Sequence, residues 1–320
     1  MKSTHNETDL SLVVASRFDA ADGVAVLRLW HPDGSDLPPW SPGAHIDLVL
    51  TPEITRQYSL CGDPADRSTW QIGVLREPAG RGGSQFVHDK LAAGDTVQVR
   101  GPRNHFELEG SPNYLFVAGG IGITPIMAMA AEADRTGATW TLVYGGRSRG
   151  TMAFVDELTS RYPDNVVVHP QDEKGLLDLD GLLGESLPDT LVYTCGPGAL
   201  LDAVSDKCQS WPTGSLHLER FSAKPLHEPV LNSSFDVELT LTGKTITVNP
   251  NESVLDAVTA CGVQVLSSCK EGTCGTCETP VLGGTVDHRD SLLTPDEQAA
   301  NDTMMICVSR TSCPKLVLEL

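Results

Sequence analysis

The stretch SCKEGTCGTC, residues 268–277, sets three cysteines close together, and a fourth cysteine, Cys307, follows after 29 intervening residues. The spacing Cys269-x4-Cys274-x2-Cys277, completed by a distant cysteine, is typical of the loop that holds a plant-type [2Fe–2S] cluster. In such a site three thiolates come from one tight loop, and the fourth comes from a distant strand. The sequence therefore predicts that these four cysteines are cluster ligands.

Two other interpretations of the cysteines carry less weight. Structural zinc sites usually use two CxxC pairs, and this stretch contains only one. Unrelated buried thiols would not explain why three of the nine cysteines fall between residues 269 and 277. An odd number of cysteines also argues against a disulfide framework. Core packing or surface positions are expected for Cys61, Cys208, Cys261 and Cys313.

The composition indicates an acidic globular chain of two or three domains. Its 320 residues include 23 Lys and Arg against 42 Asp and Glu, a net charge of −19, which disfavours binding to nucleic acid or to anionic lipid. The 40% of hydrophobic residues suffices for packed cores, and no apolar run approaches the roughly 20 residues of a membrane helix. The opening MKSTHNETDL lacks the pattern of a secretory signal, which predicts a cytoplasmic protein.

The chain changes character along its length. Short segments with alternating apolar residues and Pro- and Gly-rich turns fill residues 1–108, which favours an antiparallel β-barrel. Strands then alternate with helices over residues 109–224, which predicts a doubly wound parallel sheet. Residues 225–234 show no periodicity and are expected to form a linker. Residues 235–320 contain further strands, one helix and the cysteine stretch.

A Gly-rich turn, GGIGITP at residues 119–125, lies between a predicted strand and a predicted helix. Glycines there let the backbone approach a pyrophosphate, whose charge then meets the helix N-terminus. The pattern is not G-x-G-x-x-G, so a standard Rossmann fingerprint is not predicted. A second motif, CGP at residues 195–197, ends another strand, at the sheet edge where ligands bind. The predicted nucleotide-binding residues are Gly119, Gly120, Gly122, Thr124, Pro125, Cys195, Gly196 and Pro197.

With these motifs and the segment RQYSL at residues 56–60, the chain resembles the phthalate dioxygenase reductase family. This family comprises class IA oxygenase reductases, related to ferredoxin–NADP reductase and similar to vanillate demethylase reductase subunits. The likeness spans nearly the whole chain. It implies an FMN-binding barrel at 1–108, an NAD-binding α/β domain at 109–224 and a β-grasp [2Fe–2S] ferredoxin domain at 235–320. FAD is the alternative flavin, because relatives that bind FAD share the motif.

The resemblance also assigns roles to individual residues. Arg56 is expected to pair with the FMN phosphate, Tyr58 to pack against the isoalloxazine, and Ser59 to lie near the flavin N5 that receives the hydride. Cys195 is expected beside the nicotinamide C4, without a nucleophilic role. Further flavin contacts are expected from Gln57, Gly73, Val74, Leu75, Gly82, Gly83, Ser84 and Phe221.

Selection between NADH and NADPH depends on the segment Arg147-Ser148-Arg149, where Arg147 and Ser148 are expected to contact the nucleotide. A carboxylate after Arg147 would favour a free ribose 2′-hydroxyl, and none is present at 148 or 149. Two Arg beside a Ser could hold a 2′-phosphate, whereas Asp172 could serve the hydroxyl from elsewhere in the fold. NADH is expected because the family mostly uses it, and NADPH is the alternative.

The three parts together suggest an electron relay. A nicotinamide gives two electrons as hydride, an iron–sulfur cluster accepts one at a time, and a flavin can do both. The leading hypothesis is the reductase component of a two-component Rieske-type aromatic oxygenase or O-demethylase, passing electrons from NADH to FMN to the cluster to the oxygenase. A cytochrome P450 or another acceptor is the alternative, and a cluster-only carrier without flavin is a third.

The expected partner is the terminal oxygenase. Residues 226–320 carry 5 Lys and Arg against 13 Asp and Glu, which favours transient electrostatic docking to a basic surface. No nucleic-acid or membrane partner is expected. The resemblance implies a monomer.

Overall fold

The computed structural model describes residues 8–320, which form two compact units that divide between Glu219 and Arg220. Each unit is described by itself. Residues 1–7, on which the expectation of no secretory signal partly rests, lie outside the described part. Within residues 8–320, no helix combines the length and the apolar character needed to cross a membrane.

The first unit begins with a six-stranded antiparallel sheet whose strands follow the order β4-β3-β6-β1-β2-β5. A bridge between Leu60, just after β4, and Ile72 of β5 joins the two ends of the sheet, so the predicted antiparallel barrel is confirmed. The elements are β1 Thr8–Ala21, β2 Val24–Trp30, β3 His45–Thr51, β4 Ile54–Ser59, β5 Thr69–Leu75, α1 Gly83–Lys90 and β6 Thr96–Arg103.

The same unit continues with a five-stranded parallel sheet in the order β11-β10-β7-β8-β9. This confirms the predicted doubly wound sheet. Its elements are β7 Asn113–Gly119, α2 Ile123–Thr136, β8 Thr139–Gly146, α3 Val155–Arg161, β9 Val166–Pro170, α4 Gln171–Lys174, α5 Leu179–Leu183, β10 Thr190–Cys195, α6 Gly198–Lys207 and β11 Leu216–Glu219. Helix α2 begins at Ile123, inside the stretch 119–125 that the sequence predicts to be a turn, because Pro125 is tolerated in a first helical turn.

The barrel and the parallel sheet share an apolar core. Val26 of the barrel and Phe106, which follows its last strand, belong to the same buried cluster as Ile123 and Tyr144 of the parallel-sheet half. A second cluster, with Leu27 among its members, lies within the barrel. The shared core explains why the two sheets form a single compact unit.

The second unit contains a mixed sheet in the order β13-β12-β18-β14-β16 and a small β15–β17 pair. Strands β12 and β18 are parallel and the other pairs are antiparallel. Its elements are β12 Phe235–Leu239, β13 Lys244–Val248, α7 Val254–Ala260, β14 Glu278–Gly283, β15 Val286–Asp287, α8 Pro295–Ala300, β16 Thr303–Met305, β17 Arg310–Thr311 and β18 Lys315–Leu318. Strand β16 ends at Met305, because the chain turns there: the Val308 and Ser309 amides donate to the Met305 carbonyl.

Gly122 lies where two turns of the first unit meet without space for a side chain. A Cβ on Gly122 would stand 2.2 Å from the Cys195 carbonyl oxygen, whereas a Cβ on Gly110 would meet nothing within 4 Å. We expect Gly122→Ala to lower the free energy of unfolding by about 1–3 kcal/mol, as other overpacked sites do. Urea unfolding followed by tryptophan fluorescence tests this, because all five Trp lie before residue 220. Gly110→Ala is the control, and equal stability of the two variants would contradict the prediction.

Candidate active site

Arg56 on β4 lies across the start of α1. Its guanidinium donates to the Thr55 and Arg81 carbonyl oxygens at 2.7 and 2.6 Å, and a Cβ on Gly83 would stand 2.4 Å from its Cγ. Gly82 precedes the helix in the left-handed region at φ 80°. A guanidinium beside the free amides of a helix N-terminus forms an anion-binding cradle. The structure thus brings together four predicted flavin contacts: Arg56, Gly82, Gly83 and Ser84.

Neighbouring residues on β4 are oriented differently. Gln57 donates to the Asp47 carboxylate at 2.9 Å, and Arg103 donates to the same oxygen at 2.5 Å, so the Gln57 side chain is engaged with a buried ion pair. Tyr58 is partly buried, and the desolvation of its phenol raises the pKa of that group. The phenol is therefore neutral at physiological pH.

Ser59, at the end of β4, carries a hydroxyl suited to a ligand. The residue is 4% exposed, and its Oγ has no hydrogen-bond partner among the described residues. A buried hydroxyl without a partner is unfavourable unless another group supplies the bond. This observation fits the expected flavin, whose ring edge offers donors and acceptors.

Strand β5 runs beside the Gly-rich turn. A Cβ on Gly73 would stand 3.0 Å from Thr124 Cγ2 and 3.5 Å from Ile121 Cδ1, so the two segments approach because Gly73 has no side chain. The next residue, Val74, is buried, and its carbonyl lies 2.9 Å from His88 Nε2 on α1. The predicted flavin and nicotinamide segments are therefore neighbours within one unit, as transfer between two ring systems requires.

The Gly-rich turn and the CGP motif meet at the carboxyl edge of the parallel sheet. Strands β7 and β10 pair in register up to Ala118 and Cys195. A Cβ on Gly119 would stand 2.8 Å from Pro197 Cδ, and a Cβ on Gly196 would stand 2.9 Å from the Gly119 Cα. The predicted nucleotide residues are thus gathered at one edge, beside the N-terminus of α2, which is the expected place for a dinucleotide.

Cys195 is fully buried at the end of β10. Burial and the neighbouring Glu219 raise the pKa of this thiol well above its usual value. A thiol that stays protonated is a poor nucleophile. The environment therefore agrees with the expectation of a neutral neighbour for the nicotinamide.

Glu219 is a functional candidate that the sequence reasoning missed. It ends β11 and pairs in register with Cys195. Its Oε2 is buried without a hydrogen-bond partner among the described residues, and desolvation raises the pKa of the carboxyl to about 8. Sequence alone offered only one acidic residue at a strand end in HLERF, which did not distinguish it.

The segment after β8 gives partial evidence on nucleotide selection. The Asp172 amide donates to the Arg147 carbonyl at 3.0 Å, so these two residues lie side by side. Arg149 is paired at 3.0 Å with the Asp156 carboxylate, and the Ser148 and Thr151 hydroxyls lie 3.5 Å apart. An acidic residue thus lies next to Arg147, while the second arginine is occupied by a carboxylate.

The four predicted cluster ligands lie together in the second unit, and all four are buried. Hydrogen bonds with the Cys274 and Cys307 thiols lower the pKa of Cys269, and a hydrogen bond with Cys307 lowers the pKa of Cys277. The Glu271 amide donates to Cys269 Sγ at 3.3 Å, the kind of bond that stabilises a thiolate ligand. The donor set therefore fits an iron–sulfur cluster.

Backbone geometry explains how the cysteine loop closes. Lys270, Gly272 and Gly275 all adopt positive φ, at 57°, 71° and 72°. A Cβ on Gly272 would stand 2.5 Å from Val308 Cγ2, so the loop packs closely against the segment that carries Cys307.

The remaining predicted residues have mixed placements. Phe221 belongs to the second unit and is 43% exposed. Cys61 and Cys208 are buried, as expected for packing residues, whereas Cys261 and Cys313 are partly exposed. All nine cysteines are free thiols.

Glu219 leads to a pH prediction. Its folded pKa of about 8 lies above the ordinary 4.5, so the folded unit holds a proton that the unfolded chain releases between these values. The free energy of unfolding should therefore fall as pH rises through this range. In Glu219→Gln the side chain stays neutral, and we expect the wild type to lose stability relative to it between pH 5.5 and pH 8.5. Urea unfolding by tryptophan fluorescence measures this, and parallel pH profiles would refute it.

A substitution of one ligand should separate the cluster cysteines from the others. We expect Cys307→Ser to lose the visible absorption of the cluster and most of its bound iron, because one of four ligands is removed. Cys313→Ser is the matched control, since Cys313 lies in the same unit but outside the group of four. Iron content and electron paramagnetic resonance of the reduced protein are the measurements. Equal iron loss in both variants would contradict the assignment.

Two family models match the chain. The 2Fe-2S iron-sulfur cluster binding domain covers residues 237–312, which include all four predicted cluster ligands. The oxidoreductase NAD-binding domain covers residues 116–206, which include the Gly-rich turn and the CGP motif. The chain therefore contains an NAD-binding domain and a [2Fe–2S] domain.

Curated relatives match over the full length. The phenoxybenzoate dioxygenase subunit beta of Ectopseudomonas oleovorans is 41% identical over 100% of both chains. The vanillate O-demethylase oxidoreductase of Pseudomonas putida is 39% identical over 97% of this chain and 100% of its own.

Solved structures give the same result. An intact type IV self-sufficient cytochrome P450 monooxygenase matches with a TM-score of 0.92 and 44% identity, and the chain covers 41% of that longer protein. Phthalate dioxygenase reductase, described as a modular structure for electron transfer from pyridine nucleotides to [2Fe–2S], matches with a TM-score of 0.72 and 37% identity, covering 98% of both chains. The resemblance stated from the motifs is confirmed, and the chain belongs to the phthalate dioxygenase reductase family.

Proposed function

We propose that this protein is the reductase component of a two-component aromatic oxygenase or O-demethylase, passing electrons from NADH through FMN and a [2Fe–2S] cluster to a separate Rieske-type oxygenase. The observation that carries the redox assignment is the approach of Gly73 to Thr124, which puts the flavin strand beside the nicotinamide turn. The partner class is supported by relatives of equal length that are named as subunits or reductases of oxygenase systems.

On the flavin side, each residue has a distinct role. Arg56 and the amides of Gly82, Gly83 and Ser84 bind the phosphate, because a guanidinium and a helix N-terminus converge there. Ser59 Oγ supplies a hydrogen bond near N5, and the phenol of Tyr58 remains neutral against the ring. The backbone of Gly73, Val74 and Leu75 would line the ring, and Gln57 fixes β4 through its hydrogen bond to Asp47.

On the nucleotide side, the glycines leave the backbone accessible because they carry no side chain. Gly119, Gly120 and Gly122 admit the pyrophosphate at the start of α2, next to Thr124 and Pro125. Cys195, Gly196 and Pro197 border the nicotinamide, and Arg147 and Ser148 contact the adenosine. The pairing of Arg149 with Asp156 and the position of Asp172 favour NADH over NADPH.

The cluster is held by Cys269, Cys274, Cys277 and Cys307. When bound, it accepts electrons singly, and the flavin divides the pair that the nicotinamide delivers. The chain contributes the amide of Glu271, which donates to Cys269 Sγ, and the tight packing of Gly272 against Val308.

The wider assignments follow the same logic. We assign the FMN domain to residues 1–108, the NAD domain to 109–224, a linker to 225–234 and the ferredoxin domain to 235–320. A monomer in the cytoplasm docks transiently with the oxygenase, which the excess of acidic side chains after residue 226 supports. Full-length relatives outside P450 chains favour an oxygenase over a P450 as acceptor.

An anaerobic titration of the purified protein with NADH tests the relay. We expect flavin and cluster absorbance to bleach together, ending near about three electrons per chain, two in the flavin and one in the cluster. NADPH should bleach both much more slowly. Acid release of the flavin, followed by chromatography, distinguishes FMN from FAD.

Three results would count against the proposal. If the protein released no flavin, only the hypothesis of an electron carrier with a cluster and no flavin would remain. A lack of bleaching with either nucleotide would exclude a reductase. Reduction of a P450 but of no Rieske oxygenase would overturn the choice of acceptor.

A further inference from the structure

Asp290, in the segment between β15 and α8, lies against the cysteine loop of the second unit. Its side chain is completely buried, with 0% of its surface exposed. A Cβ on Gly272, inside the loop, would stand 3.0 Å from the Asp290 Cα and 3.1 Å from its Cβ. The next residue, Ser291, donates from its amide to the Gly272 carbonyl at 2.9 Å. Asp290 is therefore packed directly against the turn between Cys269 and Cys274.

The contacts of the Asp290 carboxylate favour its charged form. Its Oδ1 accepts hydrogen bonds from the Leu292 and Leu293 amides at 3.0 and 2.7 Å, and its Oδ2 lies 3.7 Å from His288 Nδ1. Burial alone would raise the pKa of this carboxyl, but the imidazole and the two amides outweigh burial and hold the pKa below its ordinary value. The side chain is therefore negatively charged near pH 7.

The charge of Asp290 has little compensation from nearby cations. Within residues 8–320, no Lys or Arg forms an ion pair with Asp290; its ion-pair contact is the His288 imidazole, and its Oδ2 has no hydrogen-bond partner in that range. Asp287, another buried carboxylate of the same segment, differs because the register of β15 and β17 sets it opposite Arg310. Asp290 thus brings a poorly compensated negative charge into the interior beside the cysteine loop.

A charge at this place acts on the transfer of an electron to and from the cysteine site. Reduction of an iron–sulfur cluster adds one electron and neither forms nor breaks a bond, and the potential of the cluster depends on the charges around it. A neighbouring negative charge opposes the arrival of the electron and favours its departure. Buried charges are screened by salt much less than exposed ones, so a buried carboxylate has the larger effect.

We propose that Asp290 lowers the reduction potential of the cluster by holding a fixed negative charge behind the cysteine loop. This role deepens the proposed function and rests on it. In that function one electron passes from the reduced flavin to the cluster and then from the cluster to the oxygenase. The carboxylate decreases the driving force of the first transfer and increases that of the second by the same amount.

Removal of the charge with retention of the hydrogen bonds tests the proposal in the full-length holoprotein. Asp290→Asn keeps an oxygen that can accept from the Leu292 and Leu293 amides, but it carries no charge. Asp296→Asn is the matched control, because it removes the same charge from an exposed position on α8 in the same unit. The protein is poised with dithionite and redox mediators, and electron paramagnetic resonance measures the reduced cluster at each potential.

We expect Asp290→Asn to increase the equilibrium constant for reduction of the cluster about tenfold, which is about 59 mV for a one-electron couple. A unit charge about 10 Å from an added electron has an effect of this order at an effective dielectric constant of about 20. Asp296→Asn should change the constant less than about twofold, because water and salt screen an exposed charge. An unchanged or lower potential in Asp290→Asn, or equal shifts in the two variants, would overturn the role of Asp290.

A second variant decides the question if Asp290→Asn binds too little iron for the titration. His288→Gln leaves Asp290 in place but replaces the imidazole beside it with a side chain that cannot carry a positive charge. The potential should then equal that of the wild type or fall below it. A potential above that of the wild type would overturn the proposal.

Failure of the proposed function would give a different result. Dithionite reduces the cluster without NADH or flavin, so the shift between the variants is measured whether or not the relay operates. If NADH did not reduce the wild-type cluster while Asp290→Asn still raised its potential, the relay would be refuted and the role of Asp290 would stand.

Discussion

The close approach of two glycine-containing turns at the carboxyl edge of the parallel sheet is the constraint on which the first unit depends. Gly122 faces the Cys195 carbonyl with no room for a Cβ, and Gly119 and Gly196 touch through their backbones. The contact fixes the end of β10, and through the pairing of β10 with β11 it also fixes Glu219. Because interiors are close-packed, any side chain inserted here would separate the turns that carry the predicted nucleotide-binding residues.

The same unit separates charge from neutral polar groups. At the start of α1, the Arg56 guanidinium and free amides present positive potential, which suits a phosphate. At the end of the strands, the hydroxyl of Ser59 carries no charge, and burial keeps the thiol of Cys195 and the carboxyl of Glu219 neutral near pH 7 because it disfavours their charged forms. Burial thus keeps ionised groups away from the place where the two ring systems are expected to meet.

The second unit solves a different problem, since four thiols must be held apart from water and close to one another. Positive φ at Lys270, Gly272 and Gly275 folds the loop back on itself, and packing against Val308 brings it to Cys307. The segment after β15 forms hydrogen bonds with this loop, with the segment after Cys307 and with the Lys224 amide. Residues 225–234, which show no periodicity in the sequence, are therefore hydrogen-bonded to the segment that supports the cluster site.

Much of this architecture could be predicted from local pattern. Cysteine spacing, the Gly-rich turn and the alternation of strands with helices depend on residues close in sequence, and the barrel, parallel sheet and [2Fe–2S] domain followed from them. Small errors arose at element ends, such as the early start of α2 at Ile123, because helix termini depend on packing as well as on propensity.

Tertiary structure decided what depends on distant neighbours. Glu219 became a candidate only because β11 pairs with β10, which buries its carboxyl beside Cys195. The contacts of Lys224 and Val230 could not be read from the sequence, because Ser291 and Asp287, which accept hydrogen bonds from their amides, lie about 60 residues later in the chain. The sequence by itself determined the fold class and the chemistry of the motifs, since both depend on the spacing of residues that are close together in the chain. Burial, pKa and anchoring were decided by the fold, because they arise from groups that only folding brings into contact.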